Sequence, residues 1–532
     1  MKKYYRKHAG YFVQFIFFIT VATIFAVRVQ YLKGNVLDIV LSVDFSEAVL
    51  AGVRLLLAIL CEIVFYFFYD LAKSRLIASA MRDLRGDYLR SLIMKPYRMF
   101  RLKTEGEYLA QYSKELDTLE QDYFATWPML LAVLLKILIV GGSLFYLDVQ
   151  IALITFLLLT MPLYVPKLIE KNLQSAQKEH LSTFEAHLKK LNDWLRGFEL
   201  IKHFRIEATI TKKFDETNQE LCEADWQKRK INEISRSLSA ILSYLSHFFI
   251  LAFASYLVTQ GRFTAGQFFI AIGMIDQLSY PIISISSFIQ SLVAIKPIKE
   301  KTENLLACQN QEEGEVSISP ANFKNLSFQD LTYGYDDRIL FEKLDWSFDK
   351  NKKYLIQGSS GSGKTSIINL ILNYYKPKDG RILLNRIPVN ECKNLSQLIT
   401  LMRQDAVLFT DSLRNNLTMY QEIADEKCLA VLETVGLDHF ANPERLEQEI
   451  QPDGSNLSGG EKKRICLARS LLNKSPILIL DEPLANLDAI NVGQIEDLIL
   501  GIADRTVIVI SHQFDDGKRD GFDICYSLGK NY

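Results

Sequence analysis

Eight consecutive residues, Gly358, Ser359, Ser360, Gly361, Ser362, Gly363, Lys364 and Thr365, have the types and spacing to hold a polyphosphate. An apolar run, 353–357, precedes them and reads as a strand, and 366–372 follows with helical spacing. A strand, a glycine-rich turn and a helix start direct a row of backbone N–H groups, and the positive end of the helix dipole, at phosphate oxygens. Glycine is needed because a Cβ would hold the backbone away from the phosphates. Lys364 is expected to reach the β and γ phosphates, and the Thr365 hydroxyl to ligate Mg²⁺.

Further groups could complete this chemistry. Within 453–464, Ser458, Gly459, Gly460 and Glu461 form a second glycine turn opening a helix, and so a second anion-binding helix N-terminus. One cradle plus a second phosphate-seeking turn points to composite sites shared between two chains. The apolar tetrad 477–480 ends in two carboxylates: Asp481 suits holding Mg²⁺ through water, and Glu482, if ionised, suits polarising an attacking water. A helix cap is the alternative for this pair. His512 ends the strand-like run 507–511; a lone histidine is usually structural, but at a strand's C-terminal end it can reach a γ-phosphate. Tyr335 closes an alternating run just ahead of the glycine turn, as an adenine platform or a core aromatic. Gln404, taken alone, says little.

The elements that must position these groups divide the chain. Its 532 residues exceed one core, and its net charge of −1 gives no reason to expect a nucleic-acid partner. The seven cysteines show no metal spacing and are expected to be reduced. Long apolar runs lie before about residue 295, ordinary alternation after it. Residues 9–27 carry no charge and, at about 1.5 Å per residue, span roughly 28 Å, close to a hydrocarbon core. Further spans fit at 48–69, 124–147, 150–170, 237–260 and 267–292, six in all. The stretches 70–123 and 167–236 are long, charged and helix-patterned, which assigns them and the basic N-terminus to the cytoplasm. Glu62, Lys136, His247 and Asp276 fall inside spans, where charge is costly. They line a polar cavity that contacts a solute, or Glu62 and Lys136 pair to satisfy buried charge.

In the order and spacing of these motifs the chain resembles the ABC transporter superfamily, in its exporter-type half-transporter arrangement. Residues 358–365 resemble the Walker A motif, 457–461 the family signature and 477–482 the Walker B motif with its catalytic glutamate. The resemblance implies an all-α transmembrane six-helix domain over 1–295, a linker over 296–322, and an α/β P-loop ATPase domain over 323–532. It assigns adenine stacking to Tyr335, the Q-loop and a metal contact to Gln404, the D-loop to Asp488 and the switch role to His512. The tips near 95–107 and 192–202 would be coupling helices, the second docking on a partner's nucleotide domain. Two chains in a lipid bilayer would sandwich two Mg²⁺-ATP, each between one chain's cradle and the other's signature.

The activity implied is ATP-driven export of an amphipathic small molecule or peptide by alternating access, in a bacterial plasma membrane with the ATPase domain cytoplasmic. An importer built on the exporter fold, as for metal chelates, and a membrane ATPase regulating a partner protein are the other readings. Residues 482–488 depart from the usual exporter run, which ends Ser-Ala-Leu-Asp. Neither a regulatory tail after His512 nor a protease domain ahead of the first span is expected, and without the latter a peptide substrate would be processed elsewhere.

Overall fold

The computed structural model describes residues 1–42, 45–307, 314–335, 338–359, 361–485, 489–512 and 514–528. The chain folds as two compact units: Met1–Met94 with Lys103–Gln309, and Lys95–Leu102 with Asn310–Tyr532.

The first unit is helical. In chain order it contains α1 (Lys2–Lys7), α2 (Ala9–Leu41) and α3 (Phe45–Ile93). The short helix α4 (Tyr97–Phe100) falls within the second unit. Then come the helical stretch α5 (Glu105–Leu147), α6 (Val149–Thr160), α7 (Glu170–Arg196), α8 (Phe198–His203), α9 (Glu207–Thr259), α10 (Ala265–Ala294) and α11 (Lys296–Ala307). Among the described residues five helices are long and apolar enough to cross a membrane: α2, α3, α5, α9 and α10. The run expected to cross at 150–170 is shorter as a regular helix: α6 gives way to a 3₁₀ turn at Met161–Tyr164 and an α turn at Val165–Leu168. Pro162 and Pro166 account for the break, since neither has an N–H to donate to the preceding turn.

Caps set where these helices begin. Asp148 accepts from the N–H groups of Gln150 and Ile151 to start α6, and Thr264 forms a capping box with Gln267 to start α10. Helices α2 and α10 pack through glycine. A Cβ on Gly34 would strike Ile270 and the Gly266 carbonyl, one on Gly266 would strike Asp38 and the Gly34 carbonyl, and one on Gly273 would strike Gln30. Backbones meeting this closely are what small residues permit where lipid removes the hydrophobic drive between helices. Asp38 secures the crossing by accepting from the Gly266 N–H and the Thr264 hydroxyl, both at 2.7 Å. Elsewhere apolar side chains remain outward: Leu56, Leu60, Ile63 and Phe67 of α3 are all half exposed or more, a surface suited to lipid or another chain.

The second unit is α/β. Strands β1 (Asn325–Tyr335), β2 (Arg338–Leu344), β3 (Ser347–Asp349), β5 (Asp379–Leu384) and β6 (Ile387–Pro388) form an antiparallel sheet. Strands β4 (Lys353–Gly358), β7 (Ile399–Met402), β8 (Ile477–Asp481), β9 (Thr506–Ile510) and β10 (Ile524–Leu528) form a parallel sheet in the order β10-β4-β9-β8-β7. Every residue of β8 and β9 is buried, as continuous apolar runs in a sheet covered on both faces require. Helix α12 (Lys364–Ile371) leaves the end of β4, α13 (Gly459–Leu472) follows the second glycine turn, and α14 (Ala489–Gly501) lies between β8 and β9.

Candidate nucleotide site

In a parallel sheet the strands' carboxyl ends open onto one edge, where ligands bind. The register of β4 on β9 and of β9 on β8 brings Ile356, Ile510 and Asp481 level, so the segments after these strands share that edge. They line one pocket of 720 Å³, formed by Gly358, Ser359, Gly361 to Ser366, Gln404, Asp481, Glu482 and His512, with Arg338 and Leu340 of β2 on the remaining wall. Five stretches far apart in sequence thus converge on one pocket. Ser360 and Asp488 lie outside the described residues, as does the side chain of Tyr335.

The turn after β4 needs glycine at defined points. Gly361 and Gly363 have φ of 79° and 99°, values that L side chains rarely adopt. A Cβ on Gly358 would fall 2.7 Å from the Leu528 carbonyl and 2.6 Å from Ser362 Oγ. Lys364 Nζ donates to the Gly358 carbonyl at 2.6 Å and stands 3.9 Å from Glu482 Oε1, so its charge is held over the turn. His512 Nδ1 lies 2.7 Å from that same Glu482 oxygen.

The two carboxylates differ in environment. Asp481, buried at the end of β8, has its pKa pushed up to about 6, first by loss of solvent and then by the neighbouring Glu482 charge, against the pull of Arg403, Lys364 and Lys463. Glu482 has a positive φ of 49°, and its N–H donates to the Ile510 carbonyl at 2.8 Å. A left-handed glutamate costs energy and is kept only where its surroundings hold it; here the hydrogen bond to β9 does so.

Two buried polar atoms at this pocket have no hydrogen-bond partner, Ser362 Oγ and Glu482 Oε2. Leaving such atoms unpaired is costly, and a bound phosphate with its waters would satisfy both. Thr365, Gln404 and Asp481 add a hydroxyl, an amide and a carboxylate at the same wall, oxygen donors of the kind Mg²⁺ takes alongside phosphate. No cluster of three or more His, Cys, Asp or Glu suited to a metal is present among the described residues.

The second glycine turn is built differently. Ser458 caps α13, accepting from the Glu461 N–H, while Glu461 Oε2 accepts from the Ser458 N–H at 2.7 Å. His439 Nε2 lies 2.9 Å from Glu461 Oε1. Ser458, Gly459, Gly460 and Glu461 do not line the pocket of their own chain, and the position of a Cβ on Gly459 is open space.

Four contributors escaped sequence reading. Arg338 and Leu340 follow Tyr335 across the β1–β2 hairpin. Arg403 lies within 6 Å of the stacked rings of Tyr97 and Tyr374, at 5.5 and 5.9 Å from their centroids, with the rings 4.0 Å apart. This packs α4 of the second unit beside the residue preceding Gln404. Lys463 is buried on α13, its pKa lowered by lost solvent and pulled back by Glu482, Asp481 and Asp405. The signal for Lys463 was its helical phase, since Cys466, Leu467 and Ser470 on the same face are also buried.

The sequence-selected charges of the helical unit fall into two groups. His247 Nε2 is 2.9 Å from Ser279 Oγ and 3.8 Å from Asp276 Oδ1, joining α9 to α10. Glu62 and Lys136 form no ion pair within 4.0 Å.

A parallel-sheet unit with this phosphate turn and paired carboxylates, on a chain whose described residues include five helices long and apolar enough to cross a membrane, has the architecture of a P-loop nucleotide-binding protein. The chain belongs to the ABC transporter family: residues 12–282 match the ABC transporter transmembrane region and residues 341–485 the ABC transporter domain. It is 27% identical over 441 residues to the lactococcin-A transport/processing ATP-binding protein LcnC of Lactococcus lactis, covering 81% of this chain and 61% of that one. This chain therefore spans about three-fifths of that relative's length. It is 24% identical over 501 residues to the multidrug resistance-like ATP-binding protein MdlB of Buchnera aphidicola, covering 92% and 85%. An ATP-dependent lipid A-core flippase of Syntrophus aciditrophicus is 23% identical over 440 residues, covering 81% and 73%. The fold is that of a bacterial Atm1-family ABC exporter solved with ATP bound, with a TM-score of 0.78 at 20% identity, covering 96% of this chain and 91% of that one.

Proposed function

We propose that two copies of this chain, or one copy and a related half-transporter, form an ATP-driven exporter in a bacterial plasma membrane. Its N-terminus and ATPase unit face the cytoplasm, and it moves an amphipathic small molecule or peptide. The observation that carries this reading is the pocket that gathers Lys364, Thr365, Gln404, Asp481, Glu482 and His512 while the Ser458–Glu461 turn stands outside it. A phosphate-seeking helix start without a phosphate of its own is what a site completed by a second chain requires.

In this reading the N–H groups of the glycine turn and Lys364 bind and orient the triphosphate. Glu482 orients the attacking water and accepts its proton, while His512, bonded to Glu482, fixes the carboxylate's direction. Mg²⁺ held by Thr365, Gln404 and Asp481 would supply neutralisation of the β and γ oxygens. Tyr335 would stack on adenine and Asp488 would join the two sites across the dimer. Closure of the sandwich would switch solute access from one side of the membrane to the other. The exposed Phe198, Leu200 and Phe204 at the tip formed by α8 suit docking on the partner's ATPase unit.

The names of the relatives describe transport/processing, multidrug resistance and lipid flipping, which supports export over uptake. The His247–Ser279–Asp276 group, with the Asp276 carboxylate exposed, supports solute contact over a purely regulatory ATPase. The test compares cytoplasm and medium, by mass spectrometry, from cells carrying this chain or its Glu482→Gln form. ATP turnover is expected to fall by about 10²- to 10⁴-fold in the variant, with a compound retained inside and missing outside. A compound depleted inside would reverse the direction, and unchanged turnover would refute the role of Glu482.

A further inference from the structure

A groove of 480 Å³ in the helical unit is lined by Lys2, Tyr5, Arg6, Ala9 and Phe12 on one side, and by α5 residues from Tyr123 to Leu134, including Trp127 and Pro128, on the other. The charges of α1 are sorted between its faces. Lys3 and Lys7, one turn apart, pair with Asp87 and Asp83 of α3 at 2.9 and 2.7 Å. Lys2 and Arg6, also one turn apart, face the groove, where no carboxylate lines the wall, and neither has an ion-pair partner among the described residues. Two cations therefore cap an apolar trough whose α5 wall, from Trp127 to Leu134, runs about 10 Å along the helix axis.

The trough is held open by a specific bond. Pro128 has no N–H to donate to the Phe124 carbonyl one turn earlier; the Tyr5 hydroxyl donates to that carbonyl instead, at 2.9 Å. This pins α1 to α5 at the proline and leaves Lys2 and Arg6 over the groove mouth, beside Tyr123 and Trp127, ring types that favour a membrane interface.

We propose that this groove binds one anionic phospholipid, its phosphate between Lys2 and Arg6 and an acyl chain along Phe12, Leu131 and Leu134. Charge complementarity selects the occupant: a zwitterionic lipid gains little from two unpaired cations, whereas each cation near an anionic surface contributes appreciably. The inference rests on the membrane reading of α2 and α5 and not on ATP turnover, so its failure is distinguishable from that of the export assignment.

The experiment uses the full chain in phosphatidylcholine bilayers with graded amounts of brominated phosphatidylglycerol or brominated phosphatidylcholine. Quenching of Trp127 is read as the difference between the native chain and Trp127→Phe. Brominated phosphatidylglycerol is expected to reach half-maximal quenching at a mole fraction lower by on the order of tenfold. The double change Lys2→Gln with Arg6→Gln removes that preference, while Lys2→Arg with Arg6→Lys keeps it. Equal mole fractions for the two lipids would overturn the proposal. So would absence of Trp127 quenching by either lipid, the result of a groove covered by a second copy of the chain.

Discussion

Asp481 and Glu482 are adjacent and both buried, yet their neighbours differ. Asp481 ends a wholly buried strand, and its pKa is raised from 3.8 to about 6. A carboxyl raised on folding is a cost above about pH 6, because the folded chain then holds a charge that the unfolded chain keeps in water; the cost is relieved as pH falls through 6 towards 3.8. Asp481→Asn is therefore expected to raise the thermal midpoint of the nucleotide-free protein at pH 7.5, by the equivalent of at most about 3 kcal/mol. The gain should shrink to nothing near pH 4. Thermal unfolding followed from pH 4 to 8 checks this, and a gain independent of pH would assign it to packing. The sequence shows that the pair ends an apolar run; it does not show that both are buried or that Arg403, Lys364 and Lys463 stand near Asp481, because that depends on how distant segments pack around β8.

At the scale of elements, α4 is the informative case. Its four residues fall in the second unit although more than 200 residues separate them from the rest of it. The stacked rings of Tyr97 and Tyr374, with Arg403 beside both, hold it there. Such contacts contribute about 0.5–1.5 kcal/mol, so Tyr374→Ala is expected to speed amide exchange in Lys95–Leu102 by roughly 2- to 10-fold. Unchanged exchange would show that other contacts hold α4. Because Arg403 also lowers the pKa of Asp481, movement of α4 has an electrostatic route to the site. Charge patterning marks 95–107 as a tip, but nothing local in Tyr97 announces Tyr374; only the return of the chain does so.

For the whole molecule, the question is whether the nucleotide site belongs to one chain or to two. The glycine turn and the carboxylates share a pocket, and the Ser458–Glu461 turn does not line it. If the site is completed in trans, a chain bearing Lys364→Ala and a chain bearing Ser458→Arg are each inactive alone. Co-expressed, they form a mixed dimer in which the second chain's intact cradle meets the first chain's intact signature. About a quarter to a half of native ATP turnover per mixed dimer is then expected, allowing a loss of about 0.4 kcal/mol or less to asymmetry. No recovery, with mixed dimers demonstrated by two affinity tags, would place the complete site within one chain.

What the sequence alone determined is whatever local chemistry dictates: glycine where backbone must approach a phosphate, an apolar tetrad before two carboxylates, and uncharged runs long enough to cross lipid. Each is written in contiguous residues, because backbone sterics and transfer from water act on neighbours. What only the tertiary structure decided is non-local. Lys463 is buried towards Asp481 and Glu482 although it sits in a charged run, because its helical phase turns it inward. Helix α6 stops short of its apolar run because Pro162 and Pro166 interrupt it. Lys2 and Arg6 stand apart from Lys3 and Lys7, identical in charge and adjacent in sequence, because a helix turns each residue by about 100° and only one face of α1 meets the carboxylates of α3.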